Sequence, residues 1–235
     1  TALYLLTVAD VRGTSPKVWN AWKGKLLEDL YKLTVRTLGG RAPDPGAVIE
    51  SRKRQALIQL ALASEPQDSH KRLWDTLEVS YFMRHDAGDI AWHTRQLARH
   101  AVRPVATKKE AAGAGGASAG TVKTFETIVR ARLSPVGEGL QVLVYAADQP
   151  DLFARICGYF DRAGFSILDA KIHTTRNGRA LDTFQIINPL VPDHNREFIG
   201  MVEAELPAAV ESQAPLAPPR LGRVSRRVKS FPIAP

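Results

Sequence analysis

Two carboxylates beside a proline mark the segment of this sequence that is best suited to binding a small molecule. The segment follows a run of β-branched and aromatic residues and precedes an apolar pattern of helical period, so it predicts a strand-to-helix turn. The first backbone N–H groups of a helix stabilise a carboxylate. We therefore interpret this turn as a candidate site for a ligand that carries a carboxylate, formed by Asp148, Gln149, Pro150, Asp151, Leu152 and Phe153.

The two aspartates of this turn have more than one possible role. Asp148 could pair with a cationic group of a ligand or cap the helix that follows. Asp151 adds a carboxylate at the helix end that a ligand carboxylate would use. The interpretation of both residues as helix caps therefore stays open beside the binding interpretation.

Histidines supply the second set of candidates. His93 and His100 are seven residues apart on a predicted helix, so they share one face and offer two possible metal ligands. Packing is the favoured interpretation of both, and Cys157, on an apolar helical pattern, is interpreted as a buried thiol. The sequence contains no phosphate-binding glycine loop and no recognisable spacing of nucleophile and base.

Hydrophobic periodicity predicts the elements that position the turn. Asn177-Gly178 predicts a type I′ hairpin, because both central residues of that turn need positive φ. The 168–173 strand alternates apolar and polar residues and is predicted to be half-buried. The predicted elements are strands at 125–133 and 140–145, a helix from Pro150 to Gly164, strands at 168–173 and 180–187, a helix capped by Asp193, and a last strand at 224–231.

The first hundred residues are predicted to be all-α. Capping residues and apolar spacing place the helices at 15–39, 46–63, 69–81 and from Asp89 onward, the last with Ile90, His93 and Leu97 toward a core. Residues 3–8 form an apolar segment of the kind found in cores, which favours a chain that is a fragment of a longer protein. A glycine- and alanine-rich stretch at 105–121 predicts a flexible linker.

Charge and composition limit the possible partners. The net charge is +8, and the excess basic residues lie in Arg52 to Arg54, in Lys108-Lys109 and between Arg220 and Lys229. Aromatic residues do not interleave with these groups, so an anionic protein partner or a solvated face is favoured over nucleic acid. No segment is apolar enough for a membrane span, and a single cysteine fits a reducing cytoplasm.

The residues of the second half carry a resemblance to a known module. The segments DQPDLF, AGFSILDAKI and ALDTF resemble the ACT domain, a regulatory module of amino-acid-controlled proteins, in the spelling of the bifunctional PII uridylyltransferase/uridylyl-removing enzyme family. The resemblance implies an α+β protein: an all-α N-terminal part followed by a ferredoxin-like βαββαβ ACT domain. It also implies that a ligand lies between paired ACT domains, which adds Ile167 and Asp169 to the candidate glutamine site.

The start of the chain resembles a different module. LLTVADVRGTSP is similar to the last motif of HD-type phosphohydrolases, and the resemblance makes Asp10 a ligand of a divalent metal, Mg or Mn, in the intact enzyme. The partner ligands would precede this chain, so no metal or other cofactor is expected in these residues alone. His85-Asp86 follows Asp10 and is therefore not interpreted as the HD pair of that site.

The resemblance covers nearly the whole chain and implies its organisation. We predict the end of an HD domain at 1–40, a helical connector at 41–104, the linker at 105–121 and an ACT domain at 122–235, followed by a second ACT domain. The implied function is the glutamine-controlled uridylylation and deuridylylation of the PII signal protein in the cytoplasm, with this C-terminal fragment inactive by itself. Docking of the ACT sheet on the connector is the expected route of the signal.

Two other functions remain as alternatives. A non-catalytic module that binds an amino acid or a partner protein would need only the ACT-like half of the chain. A fragment of a (p)ppGpp synthetase/hydrolase also joins HD and ACT domains, but its intervening domains do not fit between Asp10 and Phe125.

Overall fold

All regular secondary structure in the first half of the described chain is helical. The structure, a computed structural model, describes residues 2–14, 19, 21–40, 44–98, 126–188, 195–212 and 214–216. Several predictions fall outside these residues: the start of the helix predicted at 15–39, His100, Lys108-Lys109, the 105–121 linker, the Asp193 cap, the strand at 224–231 and the basic stretch from Arg220 to Lys229. The first helices are α1 (Ala2–Thr14), α2 (Ala21–Leu38), α3 (Pro45–Leu62), α4 (Lys71–Trp74), α5 (Val79–Arg84) and α6 (Ala87–Leu97).

Two of these helices begin at aspartate caps. The side chain of Asp44 accepts hydrogen bonds from the first N–H groups of α3, and Pro45 occupies the first helical position. Asp86 accepts from the backbone N–H of Asp89, so α6 begins two residues earlier than predicted. The residues predicted to face the core from α6, Ile90, His93 and Leu97, are fully buried.

The predicted helix at 69–81 is wrong, because the chain turns between α4 and α5. Glu78 is extended there, with φ −80° and ψ 159°. The carbonyl of Thr76 accepts a hydrogen bond of 2.8 Å from the backbone N–H of Arg176, about a hundred residues further along the chain. A contact with the second half of the protein thus takes the place of a local helical bond.

Most of the leucines in α1 and α2 are exposed. The core-type segment at 3–8 is helical, but α1 buries none of its residues and Leu3 is 77% exposed. In α2, Leu26 and Leu30 are 54% and 59% exposed, so the predicted apolar face is not buried among the described residues. Helix α3 buries Ile49, Ala56 and Leu60, whereas Ile58 and Leu62 are 60% and 81% exposed.

The second half is a four-stranded antiparallel sheet with two helices. Its elements are β1 (Ile128–Leu133), β2 (Leu140–Ala147), α7 (Leu152–Arg162), β3 (Ser166–Lys171), β4 (Arg179–Ile187) and α8 (Asn195–Glu211). The strand order is β1-β2-β4-β3. The predicted α+β class is confirmed, and β1 extends the sheet as expected. In a βαββαβ unit the last strand normally pairs with the first strand. Here the first strand of that unit is β2, and β1 occupies the edge beside it where the last strand would pair.

The hairpin between β3 and β4 is correctly predicted, but its turn type is wrong. Only Gly178 has a positive φ, +74°, whereas Asn177 does not. The N–H of Gly178 donates to the carbonyl of Thr175 at 3.0 Å, which gives a type I turn followed by a left-handed glycine. The turn carries Arg176 at its tip, where it contacts the helical half.

Helices cover both faces of the sheet. One face packs against α7 and α8, with Ile156, Phe160, Phe184, Val202 and Leu206 fully buried. The other face packs against α3, α5 and α6, in a core that joins Leu143, Tyr145 and Leu181 of the strands to Tyr81 and Ile90 of the helices. Strands β2 and β4 are therefore buried along nearly their whole length.

The prediction that β3 is half-buried is confirmed for residues 168–171, all of which are partly buried. Its polar residues point toward the helical half, and the following His173 is only 7% exposed. Ile172, which belongs to the apolar set of the alternation, is 41% exposed. Both sides of this edge strand are thus partly covered, the polar side by the helical half and the apolar side, at Ala170, by the core under α7 and α8.

We expect Gly139→Ala to destabilise the sheet much more than Gly178→Ala. Gly139 has φ +88°, and an added Cβ would overlap the backbone carbonyl oxygen of Ile186. Gly178 has φ +74° but open space around the Cβ position, so its variant carries only the cost of a left-handed backbone, about 1–2 kcal/mol. Urea unfolding of the two variants measures both losses, and equal losses would contradict the close approach of residue 139 to β4.

Candidate functional site

The predicted ligand-binding turn joins β2 to α7. The helix begins at Leu152, with Asp151 at its N-cap and Pro150 one residue before that cap. Asp151 is left-handed, with φ 64° and ψ 6°, a conformation that glycine adopts at lower cost. Its side chain makes no capping hydrogen bond. The interpretation of Asp151 as a helix cap through its carboxylate is therefore wrong.

The other side chains of the turn bind the surrounding ACT-like half. The carboxylate of Asp148 accepts a hydrogen bond of 3.0 Å from the hydroxyl of Thr174, so it holds the β3–β4 connection. The amide of Gln149 donates to the carbonyl of Val210 on α8 at 3.0 Å. Leu152 is buried, whereas Phe153 is 49% exposed and stacks on Phe184.

The remaining two residues of the predicted site lie at the opposite end of the sheet. Asp169 is opposite Gln185, and Gln185 is opposite Gln141 near the start of β2. The turn follows Ala147, six residues further along that strand, or about 20 Å at the rise of an extended chain. Ile167, beside a β-bulge in β3, is also distant from the turn. One chain therefore does not bring the predicted ligand residues together.

Asp10 has no metal-binding surroundings in the described part of the chain. Its carboxylate is exposed and accepts a hydrogen bond of 3.3 Å from the hydroxyl of Thr14, one turn further along α1. No group of three or more His, Cys, Asp or Glu side chains among the described residues is arranged to hold a metal ion. The described residues by themselves thus do not fit the divalent metal that the resemblance implies.

A row of polar side chains, which the sequence analysis did not identify, crosses all four strands on the face toward the helical half. In strand order this polar row consists of Arg132, Gln141, Gln185 and Asp169, each opposite the next. The signal for it was present in the sequence, because Gln141 and Gln185 interrupt otherwise apolar strands. These residues can be recognised as one row only when the register of the strands is known.

Asp89 of α6 joins two members of this row, Arg132 and Gln141, to the helices. Its carboxylate is 3% exposed and accepts hydrogen bonds from Arg132 and Gln141 at 2.8 and 2.9 Å. Its second oxygen lies 3.4 Å from the ammonium group of Lys171. The guanidinium of Arg132 also stacks over the Trp92 ring at 4.1 Å, so one helix binds three strands through a single anion.

Three histidines and Tyr81 pack together beside this network. The ring of His85 lies 5.0 Å from His93 and 5.1 Å from His173, and the Tyr81 hydroxyl is hydrogen-bonded to Nδ1 of His93 at 2.8 Å. The Nδ1–H of His85 donates to the carbonyl of Tyr81. Among the described residues, Nε2 of His85 and of His173 have no hydrogen-bond partner.

Burial makes these histidines neutral. It lowers the pKa of His85 to about 3 and the pKa of His173 to about 4, and the positive charge of Lys171 acts in the same direction on both. Burial also lowers the pKa of His93 well below its ordinary value. Asp182 behaves in the opposite way, because burial raises the pKa of its carboxyl to about 7.

A cleft of about 300 Å³ opens where α2, α3 and the start of α6 meet strands β2, β4 and β3. The walls carry cations, among them Arg84 and Lys171, and anions, among them Asp86 and Asp169. The cleft is therefore polar and mixed in charge, and both halves of the protein contribute to it.

The fold and the site define the class of protein. An ACT-like sheet packs by one face against a helical unit, and a buried polar row lies at the contact. Residues 44–96, the helical unit, match a family model described as the fifth domain of the uridylyltransferase GlnD. The whole chain is 54%, 52% and 51% identical to bifunctional uridylyltransferase/uridylyl-removing enzymes of Ralstonia nicotianae, Cupriavidus pinatubonensis and Burkholderia lata.

The chain spans about a quarter of the length of these curated relatives. No solved structure matches it. The resemblance recognised in the sequence is confirmed, and the chain matches a segment of the bifunctional uridylyltransferase/uridylyl-removing enzyme family. Among the described residues, none of the helices combines the length and the apolar character needed to cross a membrane.

We expect Asp89→Asn to destabilise the protein by about 3–5 kcal/mol, because it leaves Arg132 and Lys171 partly buried without their anion. Asp29→Asn is the matched control: it removes a carboxylate that pairs with Lys25 on the surface at 2.8 Å, and the loss should stay below about 1 kcal/mol. Urea unfolding at pH 7 compares the two. Similar losses would mean that Asp89 is not the anchor of the interface.

The histidines should make the protein less stable in acid. Their native pKa values lie below the ordinary value of 6.5, so the unfolded chain binds protons that the folded chain does not. The free energy of unfolding should fall from about pH 6.5 toward pH 4, by up to about 1.4 kcal/mol per pH unit and histidine. The raised pKa of Asp182 has the opposite sign and offsets one such group between its unfolded value of 3.8 and about 7.

Asp182→Asn separates these contributions. It removes the offset, so the loss of stability in acid should steepen, and stability at pH 8 should rise by about 1–3 kcal/mol because no buried carboxyl has to ionise. Urea unfolding at pH 4.5, 6.5 and 8 measures both effects, with the exposed Asp161→Asn as control. A variant that is less stable than the wild type at pH 8 would contradict the raised pKa.

Proposed function

We propose that this chain is the regulatory segment of an enzyme that uridylylates and deuridylylates the PII signal protein in response to glutamine. The names of the relatives, which match the chain over its whole length, support the two activities of the complete enzyme. The chain spans about a quarter of the length of these relatives, so we assign catalysis to other parts of that enzyme. The role of this segment is then to report the effector.

The docking of the ACT-like sheet on the helical unit is the observation on which this proposal depends. An effector controls a distant site only through an element with two states that both sites influence. The sheet and the helices share one apolar core, and Asp89 joins α6 to β1, β2 and β3. A ligand that tightens or loosens this contact changes the helices that connect the sheet to the rest of the enzyme.

The proposal extends to the parts that the complete enzyme needs. Residues 1–40 form the end of an HD-type hydrolase domain, in which Asp10 joins ligands from elsewhere to hold Mg or Mn. Residues 41–104 form the connector, 105–121 a linker and 122–235 the first ACT domain, with a second ACT domain after it. The enzyme acts in the cytoplasm, and its partners are PII and glutamine rather than nucleic acid or membrane.

Reversal of one charge at the edge of the interface tests the proposal. Arg176 at the tip of the β3–β4 hairpin donates from Nε to Glu78 between α4 and α5 at 2.8 Å. In the complete enzyme, Arg176→Glu should shift the glutamine concentration that half-inhibits PII uridylylation severalfold, because two anions then face each other. The double variant Arg176→Glu with Glu78→Arg should restore the wild-type value.

The exposed Arg72→Glu on α4 is the control for a change of net charge, and its response to glutamine should be unchanged. An unaltered response in Arg176→Glu would contradict transmission through this interface. If glutamine changed neither activity of the wild-type enzyme, the regulatory proposal itself would be wrong. A module that binds without controlling catalysis would then be favoured.

A further inference from the structure

We propose that the cleft between the helical unit and the ACT-like sheet binds a free α-amino acid, whose ammonium group pairs with Asp169 and whose carboxylate pairs with Lys171 and Arg84. The inference deepens the proposed function by locating an effector site, and it rests on that function only for the choice of glutamine as the first probe. The site is distinct from the turn at 148–153, at the far end of the sheet.

Asp169 is the anion that this site leaves available. It is half-buried on the wall of the cleft and makes no hydrogen bond or ion pair with any described residue. Its neighbours do not satisfy it: Gln185, directly opposite, donates its amide to the carbonyl of Glu138 at 3.2 Å. A carboxylate that is partly removed from water and left unpaired favours a ligand with a positive charge.

Two cations with unused donors lie on the same walls. Lys171 is two residues from Asp169 on the same side of β3, and its contact with Asp89 is long, at 3.4 Å. Among the described residues, Arg84 makes one weak contact of 3.5 Å, with the carbonyl of Ala170 between these two residues. Each retains several N–H donors for a carboxylate. Unused charges of both signs, side by side, match a zwitterion better than a simple anion or cation.

The size of the cleft restricts the ligand further. A volume of about 300 Å³ is at the small end of ligand pockets, so it suits a free amino acid rather than a nucleotide. Thr183 and Gln185 line the same cleft and supply neutral donors and acceptors for a polar side chain. The chemistry of the walls therefore indicates an amino acid with a short polar side chain.

The position of the cleft gives such a ligand a role. The cations and the anion lie on β3 and at the end of α5, so a zwitterion bound to them would bridge the sheet and the helical unit. Its affinity depends on the two halves being docked. By linkage, the ligand would stabilise the docked state to the same extent.

Calorimetry on the complete enzyme with L-glutamine tests the site. Asp169→Asn, which removes the charge of a residue without described partners, should weaken binding at least tenfold and leave the thermal unfolding midpoint of the ligand-free protein unchanged. Lys171→Met should weaken binding similarly, and its midpoint reports any loss from the Asp89 contact. Asp148→Asn, in the turn at 148–153, is the matched control and should bind as the wild type does.

Blocked ligands test the assigned contacts. N-acetyl-L-glutamine lacks the ammonium group and L-glutamine methyl ester lacks the carboxylate, so both should fail to bind the wild type. Loss of binding in Asp148→Asn with none in Asp169→Asn would overturn the cleft as the site, although the regulatory proposal would stand. The cleft would also be ruled out as the site if glutamine controlled the two activities but bound equally well to the wild type, Asp169→Asn and Lys171→Met.

Discussion

The carboxylate of Asp89 is the interaction on which the arrangement of this protein depends. It is the anion that the described structure places between α6 and the sheet, and its ligands come from β1, β2 and β3. A buried ion of this kind contributes little net stability compared with an apolar pair, but its geometry is demanding, because each misplaced partner leaves an unpaired charge. It therefore specifies the register between two halves whose apolar contacts alone would tolerate some sliding.

The same constraint accounts for the unusual composition of the sheet. An antiparallel sheet commonly has one apolar face and one solvated face. Here both faces are covered, one by α7 and α8 and the other by the helical unit. The second face changes from apolar at Tyr145 and Leu181 to polar at Gln141 and Gln185, so the Asp89 network lies at one end of a continuous core.

The sequence correctly predicted the elements whose hydrophobic period and capping residues are local signals. β2, α7 and β4 carry strong apolar patterns, and α3 and α6 carry aspartates at their caps, so these elements lie close to their predicted positions. The misses occurred where a distant contact decided the outcome. The break between α4 and α5 depends on Arg176, and the polar row depends on the register of four strands. The candidate turn was correctly placed, but sequence spacing could not show that Asp169 lies at the other end of the sheet.

The turn and the cleft differ in what a bound ligand can influence. The side chains of the turn contact Thr174 and α8, which belong to the ACT-like half, and the left-handed Asp151 places a carboxylate where glycine would leave the helix end open. A ligand bound there touches one half of the protein and needs a neighbouring domain to act on anything else. A ligand in the cleft touches both halves at once. Because a ligand shifts an equilibrium only through different affinities for the two states, the cleft couples binding to docking without any intermediate element.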